Sequence, residues 1–322
     1  MNPDFKHYLL TTTQASDCKE IEIIQSLWSG YGKISRYQLS GTATKTVVVK
    51  FIALNNSNNH PRGWNTDFSH NRKVKAYEVE THWYKHWNHL CPPSCKVPHF
   101  IGSFEQGKDQ WIILEDLNLH FSARKHSLKL SEVKVCLQWL ANFHARFLKH
   151  SPKGLWEIGT YWHLATRPDE LAQMEHPKLK SKAAAIDALL NQCQYQTIVH
   201  GDAKVANFCF SEDGQQVAAV DFQYVGGGCG MKDVAYFLGS CLSSAECTTH
   251  QDALLDFYFS ALEQGLEYST KTIDFKALEQ EWRKMYPVAC TDFTRFLLGW
   301  MPSHQKINPY NLNLMRSVLA DL

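Results

Sequence analysis

The first third of the chain carries short runs of β-branched and aromatic residues that predict strands. Such runs cover residues 34–39 and 46–52, with Gly41 between them, which predicts an antiparallel pair. Two further apolar runs, 97–104 and 110–114, are separated by a glycine and polar residues and predict a second hairpin. We therefore expect a small antiparallel sheet in the amino-terminal part.

Two segments of the same part have helical spacing. Asp17 followed by Glu20 is typical of a capping box, and the apolar residues behind it predict a short helix that ends near Gly30. Residues 72–90 place aromatic side chains around a helical pattern before a pair of prolines stops it. Residues 54–71 are polar without an apolar period and predict a long loop, either a solvated insertion or a flap.

Helical periodicity dominates beyond residue 115. Helices are predicted at 131–149, 178–193, 232–243, 251–267 and 275–298, and short strands at 197–199, 208–210 and 217–220. Because single cores stop growing near ~250–300 residues, a chain of 322 residues is expected to form two lobes. The change of pattern at 115–117 predicts an amino-terminal lobe over 1–116 and a helical lobe over 117–322.

Composition narrows the class of protein. Hydrophobic residues at 44% and charged residues at 20% are typical of a globular protein, and a net charge of +1 gives no sign of a nucleic-acid or membrane partner. The ten cysteines form no CxxC pair, and no segment reaches the ~18 apolar residues of a membrane helix or resembles a secretory leader. We expect a soluble cytoplasmic protein with reduced thiols.

Two polar segments after predicted strands carry the candidate chemistry, HGDAKVANF at 200–208 and VDFQ at 220–223. Asp202 follows a strand and Asn207 lies five positions later, while a hairpin from Asn207 would return Asp221 beside the same loop. Phosphoryl transfer needs a carboxylate to orient the attacking hydroxyl and oxygen ligands to hold Mg²⁺. Asp202 therefore suits the base role, and Asn207 and Asp221 suit magnesium binding.

The order of these residues resembles the signature of the protein-kinase-like small-molecule phosphotransferases, which include aminoglycoside phosphotransferases, choline kinases and ecdysteroid kinases. HGDAKVANF, VDFQ and KDVAYFL are most similar to the ecdysteroid-kinase-like and choline-kinase-like branch, and the similarity runs from about residue 50 to about residue 243. It implies an α+β, two-lobed protein-kinase-like fold. A small antiparallel-sheet lobe would bind nucleotide, and a larger, mainly helical lobe would hold the catalytic loop and the acceptor site.

The resemblance implies a role for each matching residue of the catalytic loop. Asp202 corresponds to the catalytic base, Asn207 to a magnesium ligand and Asp221 to the principal magnesium ligand. Lys204, two residues past Asp202, is expected to make an auxiliary phosphate contact. The cofactors implied are ATP and Mg²⁺.

In the amino-terminal lobe the resemblance implies the nucleotide contacts. Lys50 in VVVKF resembles the strand lysine that contacts the ATP phosphates, with Glu80 as its expected helix partner and Glu78 as the alternative. The segment that contains Glu115 and Leu117 resembles the hinge, whose backbone groups pair with the edge of adenine. Both residues are therefore expected to make backbone contacts.

Three further polar residues have expected supporting roles. His200 is expected to order the loop through hydrogen bonds, and His144 to be a buried, hydrogen-bonded histidine. Asp233 begins the predicted helix DVAYFL, where an acidic side chain caps exposed amides. The resemblance makes it a support for the catalytic loop.

Two features depart from the protein-kinase pattern. In place of GxGxxG the chain has Gly30 and Gly32 before its first predicted strand and Gly41 in the next turn, so which turn cradles phosphate stays open. After Asp221 a short glycine-rich turn leads to Asp233, with no APE motif. A protein-kinase activation segment does not fit there, which favours a small acceptor over a peptide.

Aromatic residues in the helical lobe offer two interpretations. The candidates are Trp156, Tyr161, Trp162, Trp282, Tyr286 and Trp300, with Glu281 and Asp292 as nearby acids. An aromatic box with a carboxylate would bind a quaternary ammonium such as choline. The four-residue spacing of Trp282 and Tyr286 equally fits ordinary packing on one helix face.

The leading hypothesis is an ATP- and Mg²⁺-dependent kinase that phosphorylates a hydroxyl of a small choline-like, sterol-like or aminoglycoside-like molecule. The first alternative is a catalytically inactive kinase-fold protein that binds nucleotide or acts as a scaffold, motivated by the incomplete glycine loop. A protein kinase is a further alternative, as is a metal hydrolase built on His200 and Asp202. The acceptor, the choice of ATP or GTP, the pathway and the oligomeric state are not readable from the sequence.

Overall fold

The computed structural model describes residues 1–27, 30–53, 67–267 and 272–322, with the backbone alone for residues 67 and 68. The chain divides into two compact units. The first contains residues 1–90 and 97–120, and the second contains 91–96 and 121–322.

The first unit is built on one five-stranded antiparallel sheet with the order β1-β2-β3-β5-β4. Its elements are α1 (Pro3–Thr13), β1 (Asp17–Ser26), β2 (Gly32–Ser40), β3 (Thr46–Ala53), α2 (Asp67–His86), β4 (Phe100–Gln106) and β5 (Asp109–Glu115). Both predicted hairpins, β2–β3 and β4–β5, and the helix α2 are confirmed. The small antiparallel sheet expected from the sequence is therefore present.

Helix α1, which the sequence pattern did not predict, covers one face of this sheet. Asn2 caps it by accepting a hydrogen bond from the Phe5 amide at 3.1 Å, and a proline occupies its first position. Phe5 stacks on Trp111 of β5 with ring centroids 5.1 Å apart. Val47 and Val49 of β3 complete this core, because alternate residues of a strand face the same side.

The predicted helix after Asp17 is wrong, because residues 17–26 form the edge strand β1. The Glu20 carboxylate accepts hydrogen bonds from Lys33 and Tyr37 of β2 and caps no helix. An edge strand that is exposed on both faces shows no alternation, so the burial signal of a strand was missing. Most of the predicted loop, residues 54–66, lies outside the described residues, whereas residues 67–71 begin α2.

The second unit is mainly helical. Its helices are α3 (Leu130–Phe147), α4 (Pro168–Gln173), α5 (Pro177–Asn191), α6 (Met231–Cys241), α7 (Ser244–Leu266), α8 (Phe275–Trp300) and α9 (Pro309–Asp321), and its strands are β6 (Thr197–Val199), β7 (Phe208–Phe210), β8 (Val217–Ala219) and β9 (Gly226–Gly228). The five predicted helices and three predicted strands are confirmed, while α4, α9 and β9 were not predicted. The α+β class is confirmed.

The glycine-rich segment expected as a turn is the strand β9, which pairs antiparallel with β6. Only glycine fits there, because a Cβ on Gly226 would overlap the backbone of Trp156. Strands β7 and β8 form the predicted hairpin. The two short ladders place the loops after β6 and β8 next to each other.

Helices α3 and α8 supply much of the core that holds these loops. Val133, Leu137 and Leu140 of α3 are fully buried at helical spacing and form a continuous apolar stripe. Trp282 of α8 is also fully buried, and its indole donates to the Tyr195 carbonyl at 2.9 Å. No helix among the described residues is long and apolar enough to cross a membrane.

Phe5→Ala is expected to lower the free energy of unfolding by about 3–5 kcal/mol, since it removes a fully buried ring from the sheet core. His7→Ala on the exposed side of α1 is the control and should change it by less than about 0.5 kcal/mol. Urea denaturation of the full chain measures both. Equal effects would show that α1 does not pack on the sheet.

Candidate active site

The candidate catalytic loop begins where β6 ends, at His200, Gly201 and Asp202. Gly201 has a φ of +80°, and a Cβ on it would overlap the carbonyl of Tyr224. Its own carbonyl accepts a hydrogen bond from the Tyr161 amide at 3.2 Å. Because an L side chain rarely adopts this conformation, glycine is required for the chain to turn tightly between His200 and Asp202.

A buried carboxylate, that of Asp233 on α6, holds this loop. Its oxygens accept from the His200 amide at 2.6 Å and the Gly201 amide at 2.9 Å. The His144 imidazole adds a third contact at 3.1 Å through Nε2, while its Nδ1 lies 2.8 Å from the Tyr258 hydroxyl. Asp233 thus binds backbone amides of the catalytic loop instead of capping its own helix as predicted.

His200 ties the loop to the residue after β8. Its Nε2 lies 3.0 Å from the Val220 carbonyl, and its Nδ1 accepts from the Asp202 amide at 3.3 Å. His200 therefore orders the loop, and both of its nitrogens are engaged in doing so.

Asp202 is buried, and its two carboxylate oxygens have different surroundings. Oδ2 accepts from Lys204 Nζ at 2.9 Å and from Asn207 Nδ2 at 3.1 Å, whereas Oδ1 has no hydrogen-bond partner among the described residues. Burial raises the pKa of Asp202, the Lys204 ammonium opposes this, and the Asp221 charge raises the pKa further. One oxygen is thus fixed and the other is left for a ligand.

Asn207 closes the loop in a short 3-10 helix, Val205–Asn207. Its side-chain nitrogen also donates to the Asp202 carbonyl at 2.8 Å, which turns the amide oxygen away from Asp202. The Asn207 carbonyl accepts from the Val220 amide at 3.0 Å and extends the β7–β8 ladder by one pair. This pairing sets Asn207 next to the residue that precedes Asp221.

Asp221 leaves β8 in a strained conformation, with a φ of +69° that is uncommon for a residue other than glycine. Gln223 Nε2 donates to its Oδ1 at 2.8 Å. Backbone strain of this kind persists where the surroundings over-determine it and is concentrated at functional sites. The ties from His200 and Asn207 to Val220 supply that constraint.

Lys204 binds the Asp202 carboxylate, and the charge of Asp221 also acts on it. Its Nζ is bound to Asp202 while the side chain stays partly exposed. Burial lowers the pKa of Lys204, but the Asp202 and Asp221 carboxylates outweigh burial and raise it above the ordinary value. Lys204 is therefore a permanent cation at this site.

The donor set fits a magnesium ion. Asn207 offers an amide oxygen and Asp221 a carboxylate, and Mg²⁺ prefers such oxygen ligands. No group of three or more His, Cys, Asp or Glu side chains suited to a metal occurs in the part of the chain that the structure describes. The site thus offers the hydrolase alternative no histidine-rich metal centre.

In the first unit Lys50 of β3 pairs with Glu80 of α2. Nζ lies 2.6 Å from Oε2, and both side chains are buried. Glu78, the alternative partner, is exposed and lies 3.9 Å from Lys75. Transferring two charges from water into the protein interior costs free energy. A buried ion pair is therefore found where its geometry is good or where it is needed for function.

The hinge candidates lie at the end of β5. The Glu115 carboxylate accepts from the His99 amide at 2.9 Å, and Leu117 is buried in a short 3-10 helix where its carbonyl accepts from His120. Asp116 between them binds Arg36 at 2.7 Å. Burial raises the pKa of Asp116, but its hydrogen bonds to Arg36 and Asn118 hold it below the usual range.

The structure separates the predicted aromatic residues into different groups. Trp282 and Tyr286 pack in the helical core, and Glu281 accepts from two backbone amides, so these three are structural. Tyr161, Trp162 and Trp300 instead join Tyr236, Phe293 and Phe296, three aromatic residues that the sequence did not single out. Tyr236 was within reach of sequence reasoning, because it lies three positions after Asp233 on the same helix.

One family model and several solved structures are similar to this chain. The model of the Ecdysteroid kinase-like family matches residues 161–270, about a third of the chain. This segment contains the loop of Asp202, the hairpin that leads to Asp221, and Asp233. No curated protein matches the chain.

Three solved structures resemble the fold. The ethanolamine kinase of Plasmodium vivax has a TM-score of 0.50 at 10% identity and covers 92% of this chain and 81% of its own. A type VIII aminoglycoside-3'-phosphotransferase has a TM-score of 0.43 at 14% identity, covering 88% and 98%. A choline/ethanolamine kinase family protein of Mesorhizobium loti has a TM-score of 0.44 at 11% identity, covering 94% and 89%.

The likeness to the ethanolamine kinase shows the fold. Together with the family match, it confirms the predicted kinase-like fold and the resemblance to the small-molecule phosphotransferases. The likenesses with lower TM-scores add nothing to this conclusion.

Asp233→Asn is expected to lower the free energy of unfolding by about 3 kcal/mol, because a neutral amide replaces a buried carboxylate that accepts from two backbone amides. Hydrogen exchange at the His200 and Gly201 amides should accelerate in the variant. Asp213→Asn in the exposed β7–β8 turn is the matched control. Unchanged exchange at both amides would contradict the holding role of Asp233.

Proposed function

We propose that the protein is an ATP- and Mg²⁺-dependent phosphotransferase that phosphorylates a hydroxyl group of a small molecule. One observation carries the proposal. Among the described residues, the buried Asp202 carboxylate keeps Oδ1 without a hydrogen bond of ordinary geometry, with the Tyr236 side chain nearby, while Lys204 and Asn207 fix its other oxygen. Such an oxygen is suited to accept the hydrogen of an acceptor hydroxyl.

Asp202 acts in this proposal as the catalytic base. Its Oδ1 accepts the hydrogen bond of the attacking hydroxyl and takes the proton as the hydroxyl oxygen bonds to the γ-phosphorus of ATP. The bond from that phosphorus to the β–γ bridging oxygen breaks in the same step, and ADP leaves. A pKa raised by burial makes the carboxylate a stronger base than an exposed aspartate. The contacts at Oδ2 keep the carboxylate from rotating away from the acceptor.

Asn207 and Asp221 hold magnesium in this proposal, and Lys204 makes an auxiliary contact with the transferred phosphate. When bound, Mg²⁺ neutralises charge on the phosphate oxygens. Asn207 contributes its amide oxygen, which its hydrogen bonds to Asp202 orient. Asp221 contributes a carboxylate whose backbone is fixed through Val220.

In the first unit we assign nucleotide contacts to four residues. Lys50, oriented by Glu80, contacts the phosphates of ATP. Glu115 and Leu117 contact adenine through their backbones, and the Leu117 carbonyl already accepts from His120, which leaves its amide as the donor. These assignments follow from the resemblance of the residues to the family pattern.

The acceptor class proposed is a small molecule that is choline-like, sterol-like or aminoglycoside-like. The segment after Asp221 supports a small acceptor. It leads within one turn into β9, and β9 pairs with β6. That short ladder replaces the long segment on which protein kinases dock peptides. We place the protein in the cytoplasm, since all ten cysteines are unpaired.

Asp202→Asn is expected to reduce transfer of labelled phosphate from ATP to an acceptor panel by at least about 100-fold, since the amide cannot take the proton. Nucleotide binding, measured by calorimetry, should persist. Asp213→Asn is the control, with transfer close to wild type. Nucleotide binding without transfer to any acceptor in the wild type would instead support the alternative of an inactive scaffold.

Asp221→Asn is expected to weaken magnesium-dependent nucleotide binding at least about tenfold, because a neutral amide replaces the main anionic ligand. Calorimetric titration of an ATP analogue at several magnesium concentrations measures the change. The exposed Asp252→Asn serves as the matched control. An unchanged magnesium dependence in Asp221→Asn would argue against the metal role.

A further inference from the structure

An aromatic cluster lies in the second unit beside the catalytic loop. It consists of Trp162, Tyr236, Phe293 and Phe296, with Tyr161 and Trp300 packed against it. Ring centroids of Trp162, Tyr236 and Phe293 are 4.9–5.0 Å apart. Such rings present faces of negative potential, which attract cations.

Two connections join the aromatic cluster to the candidate base. The Tyr161 amide donates to the Gly201 carbonyl at 3.2 Å, one residue before Asp202. Tyr236 lies on α6 three positions after Asp233, whose carboxylate holds the same loop. Burial raises the pKa of Tyr236, and the charge of Asp202 raises it further. A molecule presented to Asp202 Oδ1 therefore lies next to these rings.

The aromatic cluster already holds a cation of its own chain. Lys306 Nζ lies 4.8 Å from the ring centroid of Tyr236 and 5.5 Å from that of Phe293. Within the described ranges no carboxylate lies within 4 Å of this ammonium. Burial lowers the pKa of Lys306 to about 8, and the charge of Asp202 opposes this shift, so the side chain is mostly an ammonium at pH 7. The ring faces that it contacts are those that a cation beside Asp202 would use.

The backbone fixes Lys306 in this position. The segment between α8 and α9 folds into a turn in which the Lys306 amide donates to His304 Nδ1 at 3.1 Å. The Lys306 carbonyl accepts from Asn311 Nδ2 at 2.8 Å, at the start of α9. The lysine therefore extends from an anchored turn.

The carboxylate of the predicted choline box is not available to an acceptor. Asp292 accepts from Arg295 at 2.9 Å and from the Trp162 indole at 3.0 Å, and it is buried. Its charge is thus compensated within the protein. The cluster keeps the rings of a cation-binding box but pairs them with a lysine instead of a free acid.

We propose that Lys306 determines acceptor specificity: it excludes cationic acceptors from the ring faces beside Asp202 and favours a hydroxylated apolar molecule that carries an anionic oxygen group. A second cation on the same rings would be repelled by the ammonium, whereas a carboxylate would bind it. The inference rests on the proposed function, because it takes the molecule beside Asp202 to be the phosphate acceptor. Among the acceptors proposed above, it selects against the choline-like and aminoglycoside-like molecules, which are both cationic, and leaves the sterol-like class.

Three probes of similar shape and different charge test the inference on the full chain. They are para-(hydroxymethyl)benzoate, para-methylbenzyl alcohol and the para-(hydroxymethyl)benzyl trimethylammonium ion, with binding measured by calorimetry. The wild type should bind the benzoate about tenfold more tightly than the trimethylammonium ion. Lys306→Met should weaken the benzoate and strengthen the cation, each by about tenfold.

Two control variants separate charge from folding. Lys306→Arg retains the charge and should keep the preference for the benzoate. Lys276→Met removes an exposed lysine at the far end of α8 and should leave all three affinities unchanged. Thermal denaturation of each variant checks that it is folded.

An unchanged ratio of cation to benzoate affinity in folded Lys306→Met overturns the inference, as does tightest binding of the cation by the wild type or no binding of any probe. Phosphate transfer, measured separately, tests the proposed function. A charge preference that depends on Lys306 without transfer to any acceptor would defeat the proposed function alone. Transfer that depends on Asp202 with no effect of Lys306 would defeat the specificity role alone.

Discussion

The candidate site depends on the buried Asp233 carboxylate and the backbone amides that it binds. The four strands of this unit have only three residues each and cannot fix a loop by themselves. Asp233 joins the loop after β6 to α6, and His144 joins the same carboxylate to α3. Without the loop amides the Asp233 carboxylate would be a buried charge with too few hydrogen bonds, and without Asp233 the His200 and Gly201 amides would lose their acceptor. Both losses would cost free energy of folding.

Asp233 and Asp202 lie in the same unit, and their hydrogen-bond partners suit them to different roles. Asp233 has hydrogen bonds to both of its oxygens and stabilises the fold. Asp202 has hydrogen bonds at one oxygen only among the described residues, and its pKa is raised by burial. The unsatisfied oxygen is what makes Asp202 the candidate base, since a fully satisfied carboxylate has little capacity left for a substrate.

At the proposed acceptor site, too, the surroundings decide the role of a group. There the charged group is the Lys306 ammonium. Aromatic rings beside a carboxylate would suit a cationic molecule, but here Lys306 occupies the ring faces of Tyr236 and Phe293. A charge that the protein supplies itself changes which ligand the same rings accept. The kinase-like fold therefore does not fix the acceptor, and the residues that line the site do.

The sequence by itself determined α3, α5, α6, α7 and α8 of the second unit, two hairpins of the first, and the order of Asp202, Asn207 and Asp221, because periodicity and motif spacing are local. It predicted a helix where β1 lies, since an exposed edge strand need not alternate apolar and polar residues. Glu80 was the expected partner of Lys50 only through the family resemblance, with Glu78 as the alternative. Residues two apart point to different sides of a helix, and packing buries Glu80 with Lys50. Tertiary structure alone also decided that Lys306, far along the chain from Asp202, reaches the aromatic cluster, because such contacts join segments that no local pattern relates.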